Sequence, residues 1–413
     1  MYLYSTNLNE RKVREHPTIP VTTLLTTLLV SSLIVLSSCG NQSNAGTPGN
    51  TPASPSSSSK STTALRSIHM IDETTGWAMT QNAVLRTSDG GLHWKDLTPA
   101  HHPLISEIDA HFLTASDAWV SMSQATSPTT LVFRTGDGGQ TWQKSTVPTD
   151  RSSHVQINAV DAQHGWLMNH MVGGGAQAEL VEIFRTSDGG KTWEMVTRVY
   201  PASTDGPPPG RLPYGGSKSG LSFINASTGW VSGSVPVNNH TWFFVTHDGG
   251  STWHQQALPP LPQGTSAFLS LLSPTFFTAN DGILPVYLSA DDKASGFGLY
   301  VTHDGGTTWN NIATTQPPSS IAVVDFIDTN HGWATSGPSH GSGKAAISPL
   351  FITNDGGQHW VQLPASQIFR EVNSLDFVSG TVGWAIGHDA TGSLLLKTVD
   401  GGSTWTKIGY SIV

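Results

Sequence analysis

The chain has 413 residues, a formal net charge of −9 and only 12% charged residues, with 43 Gly, 25 Pro, 14 Trp and a single Cys. An average globular domain carries about 25% charged residues, so a coiled coil and a basic nucleic-acid binder are excluded and a helix-rich cytosolic enzyme is disfavoured. One Cys excludes a disulfide framework and a thiolate zinc cluster.

Residues 1–38 are predicted to be an export signal. Arg11, Lys12 and Arg14 supply a basic start, and the apolar stretch Val21 to Leu36 is interrupted by Thr and Ser. That stretch is shorter than the ~20 residues a bilayer-spanning helix needs. It closes in Leu36-Ser37-Ser38-Cys39, which resembles the bacterial lipoprotein signal: an aliphatic residue, two small residues, then the Cys that is lipidated. The alternatives are an ordinary signal peptide with a chance Cys and a short uncleaved anchor. The resemblance implies a chain lipid-anchored at Cys39 on an extracytoplasmic face, cell surface or periplasm. Residues 39–65 comprise that Cys and a Ser/Thr/Pro/Gly-rich linker, predicted disordered because it has nothing to bury.

From 66 to 413 the chain repeats. Asp-Gly-Gly-x-x-Trp occurs seven times, beginning at Asp89, Asp137, Asp188, Asp248, Asp304, Asp355 and Asp400, and ending at Trp94, Trp142, Trp193, Trp253, Trp309, Trp360 and Trp405. Successive boxes are 48, 51, 60, 56, 51 and 45 residues apart. Before each box lies a second signature: Gly76-Trp77, Ala118-Trp119, Gly165-Trp166, Gly229-Trp230, Gly282-Ile283, Gly332-Trp333 and Gly383-Trp384. Only Trp242 falls outside both patterns. Unit six divides into predicted strands Ile321–Phe326, Gly332–Thr335, Leu350–Thr353 and Trp360–Leu363, separated by turn residues. Four antiparallel strands per unit and seven units predict an all-β protein, a seven-bladed β-propeller.

The box resembles the Asp-box, or BNR repeat. That resemblance implies a structural hairpin between third and fourth strands, its Asp accepting backbone N–H bonds and its glycines supplying positive φ. Together with the second signature, best seen from Leu375-Asp376-Phe377 through Gly383-Trp384-Ala385 to Trp405, the grammar is similar to the photosystem II stability and assembly factor propellers. The similarity covers about residues 66–410. It implies an assembly scaffold that binds a membrane or secreted protein partner, without chemistry, cofactor or metal of its own.

Arg86, Arg134 and Arg185 fill one slot before boxes one to three, where later units have Val245, Val301, Ile352 and Lys397. Arginine suits bidentate carboxylate capture, so this row is a candidate site for an acidic partner. Long insertions are expected on the face opposite the boxes, at Ser121–Thr130, His170–Ala178, Tyr200–Gly220, Ser232–His240, Ser289–Gly298 and Ser336–Ser348. Variable loops on a repetitive scaffold usually carry binding. Arg211, Tyr214, Trp242, Asp291 and Asp292 are the candidate rim residues there.

The alternative class is a carbohydrate-binding or glycoside-hydrolase propeller, since sialidases also carry Asp-boxes. A sialidase-like site needs an Arg triad, a Tyr nucleophile and an acid/base carboxyl. The nearest Arg-Ile-Pro match, Arg211-Leu212-Pro213, lies mid-chain, and the units number seven rather than six. No His-x-His or EF-hand spacing marks a metal. No helix follows the Gly-Gly pairs to make them a phosphate cradle. Nucleic acid is not an expected partner.

Overall fold

The computed structural model describes residues 64–99, 107–124, 127–171, 179–201, 208–261, 268–290, 293–313, 321–336, 348–364, 371–389 and 392–413. The predicted signal, Cys39, nearly all of the linker, Asp291 and Asp292 lie outside these residues. Every element among the described residues is a strand.

Each repeat unit is four antiparallel strands. Unit one runs Ser67–Met70, Gly76–Met79, Val84–Thr87 and His93–Asp96. Unit six runs Ile321–Phe326, Gly332–Ser336, Leu350–Thr353 and Val361–Gln362, within two residues of the sequence reading. Units two, three, six and seven each form a separate four-stranded sheet, whereas units four and five are joined through Ser234 opposite Ser270. In unit five the first strand is split into Phe268–Leu271 and Thr275–Phe276, both paired with Gly282–Ala290. Its expected loop at Ser289–Gly298 is instead mostly ladder: the hairpin continues through Leu288 opposite Gly296 to Ala290 opposite Lys293. Phe297, buried among core side chains, draws that segment into the sheet.

The box turn repeats with little change. In unit three, Asp188 Oδ1 accepts the Thr192 N–H at 3.0 Å and Oδ2 accepts the Thr192 hydroxyl at 2.6 Å, while the Gly190 N–H donates to Thr186 Oγ1. Gly189 and Gly190 have φ of 75° and 81°, which glycine alone adopts without strain. These bonds hold Asp137 and Asp188 well below the usual carboxylate range, at about 2. In units one and six His93 and His359 replace the Thr and meet Asp89 and Asp355 at 2.6 Å.

The units are cemented by the second signature. Trp77, Trp119, Trp166, Trp230, Trp333 and Trp384 are completely buried. Trp166 stacks on Phe223 of the next unit with ring centroids 3.7 Å apart, and Trp333 on Phe377 likewise. Their indole N–H groups donate to the first glycine carbonyl of the next unit's box, Trp166 to Gly249 and Trp333 to Gly401. Trp384 of unit seven does the same to Gly90 of unit one at 3.0 Å, so the last unit joins the first. The C-terminal strand Ser411–Ile412 adds to that joint, pairing in parallel with His93 and Trp94 on the outer edge of unit one. The fold is an all-β propeller.

Candidate functional site

Eight residues before each signature position, and directly across the ladder from it, stands a polar residue of the unit's first strand. These are His69, His111, Asn158, Ser222, Thr275, Asp325 and Asp376. First strands form the inner edges of the units and pack against one another, so this row lies at the inner joints between units. It was missed in the sequence because the residue type changes from unit to unit. The constant eight-residue offset from the signature is the signal that would have found it.

Several members bond the next unit. Asp376 accepts the Met70 N–H, Asp325 accepts the Phe377 N–H at 2.7 Å, and Asn158 accepts the Phe223 N–H at 3.1 Å. In unit two the slot holds His111, and Asp109, two residues earlier, takes over by accepting the Ile157 N–H at 2.8 Å. Burial pushes the Asp325 carboxyl up to about 7, with the Asp376 charge adding to it, and pushes Asp109 up to about 6. Burial drives His111 down to about 4, leaving a neutral imidazole. At His69 burial works downward, but the hydrogen bond and charge of Asp376, 3.6 Å away, prevail and raise it.

A cavity of about 710 Å³ opens between the first strands of units two to five, lined by Asp109, His111, His154, Gln156, Asn158 and Ser222 among others. His154 is engaged with Glu107, and its ring lies 5.2 Å from that of His170. His170 faces Glu179 at 3.6 Å, and Glu179 also receives the Lys218 backbone N–H. Lys218 is buried. Its ammonium donates to the carbonyls of Glu179, Tyr214 and Gly216 at 2.8–3.0 Å and sits 5.1 Å from the Trp242 ring centroid. Burial lowers Lys218 to about 8 against the pull of Glu179.

The sequence candidates fall in two places. Trp242 is only 4% exposed; its indole donates to the Gly215 carbonyl and its ring meets Phe244, so it packs in the core beside Tyr214 rather than standing on a rim. Arg211 is exposed. Arg86, Arg134 and Arg185 sit across the ladder from Trp77, Trp119 and Trp166. Arg86 donates to the Ala115 carbonyl of unit two, Arg134 pairs with Asp117 at 3.0 Å, and Arg185 bonds the Asp248 carbonyl of unit four and Glu194. Lys397 occupies the same slot over Trp384 and reaches the Glu73 carbonyl of unit one. Because unit seven adjoins unit one, the cations form one arc over four consecutive units. Arg185 also borders a second cavity, of about 420 Å³, with His164, Trp193 and Glu194. Among the described residues no group of three His, Cys, Asp or Glu is placed to hold a metal.

No family model and no curated protein matches the chain. Among solved structures it is similar to YCF48 bound to D1 peptide, at 20% identity and a TM-score of 0.49, over 82% of this chain and 94% of that one. It is also similar to the GH74 xyloglucanase of Xanthomonas campestris, at 13% identity and a TM-score of 0.55, over 84% of this chain. The likeness spans 55% of the xyloglucanase, about half its length. An ulvan lyase of family PL25 matches at 11% identity and a TM-score of 0.47, over 74% of this chain and 82% of that one. The likeness to the xyloglucanase is one of propeller fold.

Proposed function

We propose that this chain is a lipid-anchored, extracytoplasmic propeller that binds a protein partner and acts as an assembly scaffold. One observation supports this reading over hydrolysis. The axial carboxylates Asp109, Asp325 and Asp376 each accept a backbone N–H of the adjoining unit. Hydrolysis needs an acid and a base facing the substrate together, and of these carboxylates only Asp109 lines the cavity of about 710 Å³. The exposed parts of the Arg86, Arg134 and Arg185 row would meet acidic residues of the partner, and Arg211 with Tyr214 supplies a second contact on the insertion-bearing face.

The test combines localisation, cross-linking and turnover. Cys39→Ala is expected to move the protein from the membrane to the soluble fraction; unchanged lipid labelling would refute the anchor. A photo-crosslinker placed at Arg86 or Arg211 is expected to trap one discrete membrane protein. Turnover of xyloglucan, ulvan or a sialyl substrate by the purified chain, abolished by substitution of one carboxylate, would replace the scaffold with an enzyme.

A further inference from the structure

The joint between first strands requires a hydrogen-bond acceptor and nothing more. Asn158 shows this directly, since its amide oxygen accepts the Phe223 N–H in the way that Asp109 accepts the Ile157 N–H. An amide would therefore suffice at Asp109, yet a carboxylate stands there at the edge of a cavity of about 710 Å³. Burying a charge where a neutral isostere would serve is unfavourable, so the charge calls for a reason outside the joint.

The cavity itself narrows that reason. Among the described residues no Lys or Arg lines it, and His154, which does, is already engaged with Glu107. The His111 imidazole has no hydrogen-bond partner among the described residues, and burial keeps it an unprotonated acceptor. Gln156 spends its amide N–H on the Ser219 carbonyl, leaving its own carbonyl available. The site presents one carboxylate with neutral acceptors around it, which suits a hydrogen-bond-donating cation and repels an anion.

We propose that this cavity receives an organic cation, a primary ammonium or guanidinium group carried by the protein partner, with the Asp109 carboxylate as its counter-ion. The inference rests on the protein-binding reading and deepens it. The partner segment inserts one basic side chain at the axis, where the His111 imidazole and the Gln156 carbonyl accept its N–H groups. Asp109 keeps one oxygen on the Ile157 N–H and offers the other to the ligand.

The test titrates the purified full chain at low salt with acetyl-Gly-Lys-Gly-amide and with the same peptide acetylated at the lysine Nε. The expected result is saturable binding of the first, weakened by salt, and no binding of the second. Asp109→Asn retains the acceptor for Ile157 and is expected to weaken binding about tenfold. Asn158→Asp retains the acceptor for Phe223 and adds charge to the same cavity, so it is expected to tighten binding about tenfold. Equal binding of both peptides, no saturation, or unchanged affinity in both variants would overturn the inference. If Asp109→Asn fails to fold, Asn158→Asp alone decides. A partner still cross-linked at Arg86 and indifferent to Asp109→Asn would sink the cation site and leave the scaffold reading standing. Polysaccharide turnover without a cross-linked partner would remove both.

Discussion

Replacing Trp384 by Phe tests whether the indole N–H bonds between units carry stability beyond the packing of the rings. Trp384 is fully buried, its N–H donates to the Gly90 carbonyl of unit one at 3.0 Å, and it spans the joint where the propeller closes. Phe retains most of the apolar contact but strands that carbonyl, at about 1–3 kcal/mol, in addition to the contact area lost with the larger ring. Trp119 supplies the internal control. It is equally buried, yet its indole nitrogen has no hydrogen-bond partner among the described residues. Trp119→Phe therefore loses ring volume but no bond, and relieves a stranded donor. Trp384→Phe should be less stable than Trp119→Phe by about 1–3 kcal/mol. Urea unfolding followed by far-UV circular dichroism measures both without relying on tryptophan fluorescence, which the substitutions alter. Equal destabilisation by the two would refute the assignment, and so would Trp119→Phe proving the more damaging.

Gly306→Ala places a methyl 2.3 Å from the Trp230 ring at a φ of 79°, so a loss of about 2–4 kcal/mol is expected in the same assay, and a loss below about 1 would contradict the packing. Deleting Tyr410–Val413 removes the parallel strand on the edge of unit one and should lower the melting temperature and open residues 64–99 to proteolysis first; an unchanged digestion pattern would count against a closing role. Lys218→Met leaves three carbonyls facing a thioether and should destabilise by about 3 kcal/mol. The Asp325 carboxyl, at about 7 in the fold against about 3.9 unfolded, stays protonated where the unfolded chain ionises. Its contribution to stability therefore declines as pH rises from about 4 to about 7 and is level above. Asp325→Asn, which keeps the acceptor for Phe377, should remove that slope; an unaltered stability profile between pH 4 and 8 would show the slope has another source.

The architecture was legible because its determinants are local. The Asp-Gly-Gly turn closes on its own Thr and backbone within a few residues, so each box declares a hairpin wherever it stands. The site was less legible because its determinants are through-space. The polar slot lies at a constant offset from the signature, but what Asp376 does depends on Met70, 306 residues away. Trp242 looked available for binding because it has no repeat counterpart. It opens the third strand of unit four, Trp242–Thr246, where Gly215 and Lys218 cover it, and neither neighbour is marked in the sequence. The arginine slot was visible by aligning the boxes, whereas the carbonyls of Ala115 and Asp248 that Arg86 and Arg185 reach lie in turns of the following unit.

In a repeat protein, a group that every unit needs is read most simply as architecture, and a group that some units manage without invites another explanation. Every box has its Asp, so the boxes belong to the fold. The slot across from the signature tells a different story. Lys397, Arg86, Arg134 and Arg185 occupy it over four consecutive units, while Val245, Val301 and Ile352 fill it in the other three and still cover the neighbouring core. The joint between units therefore does not require a cation, just as Asn158 shows that the axial joint does not require a carboxylate. The two departures overlap on the ring: the cations stand on units seven to three, and the axial carboxylates Asp325, Asp376 and Asp109 on units six, seven and two. A partner that carries both signs of charge would engage the two together, and charge reversal at Arg86 combined with Asp109→Asn should then weaken its capture by about the product of the single effects, whereas capture indifferent to one of the two changes would refute joint engagement.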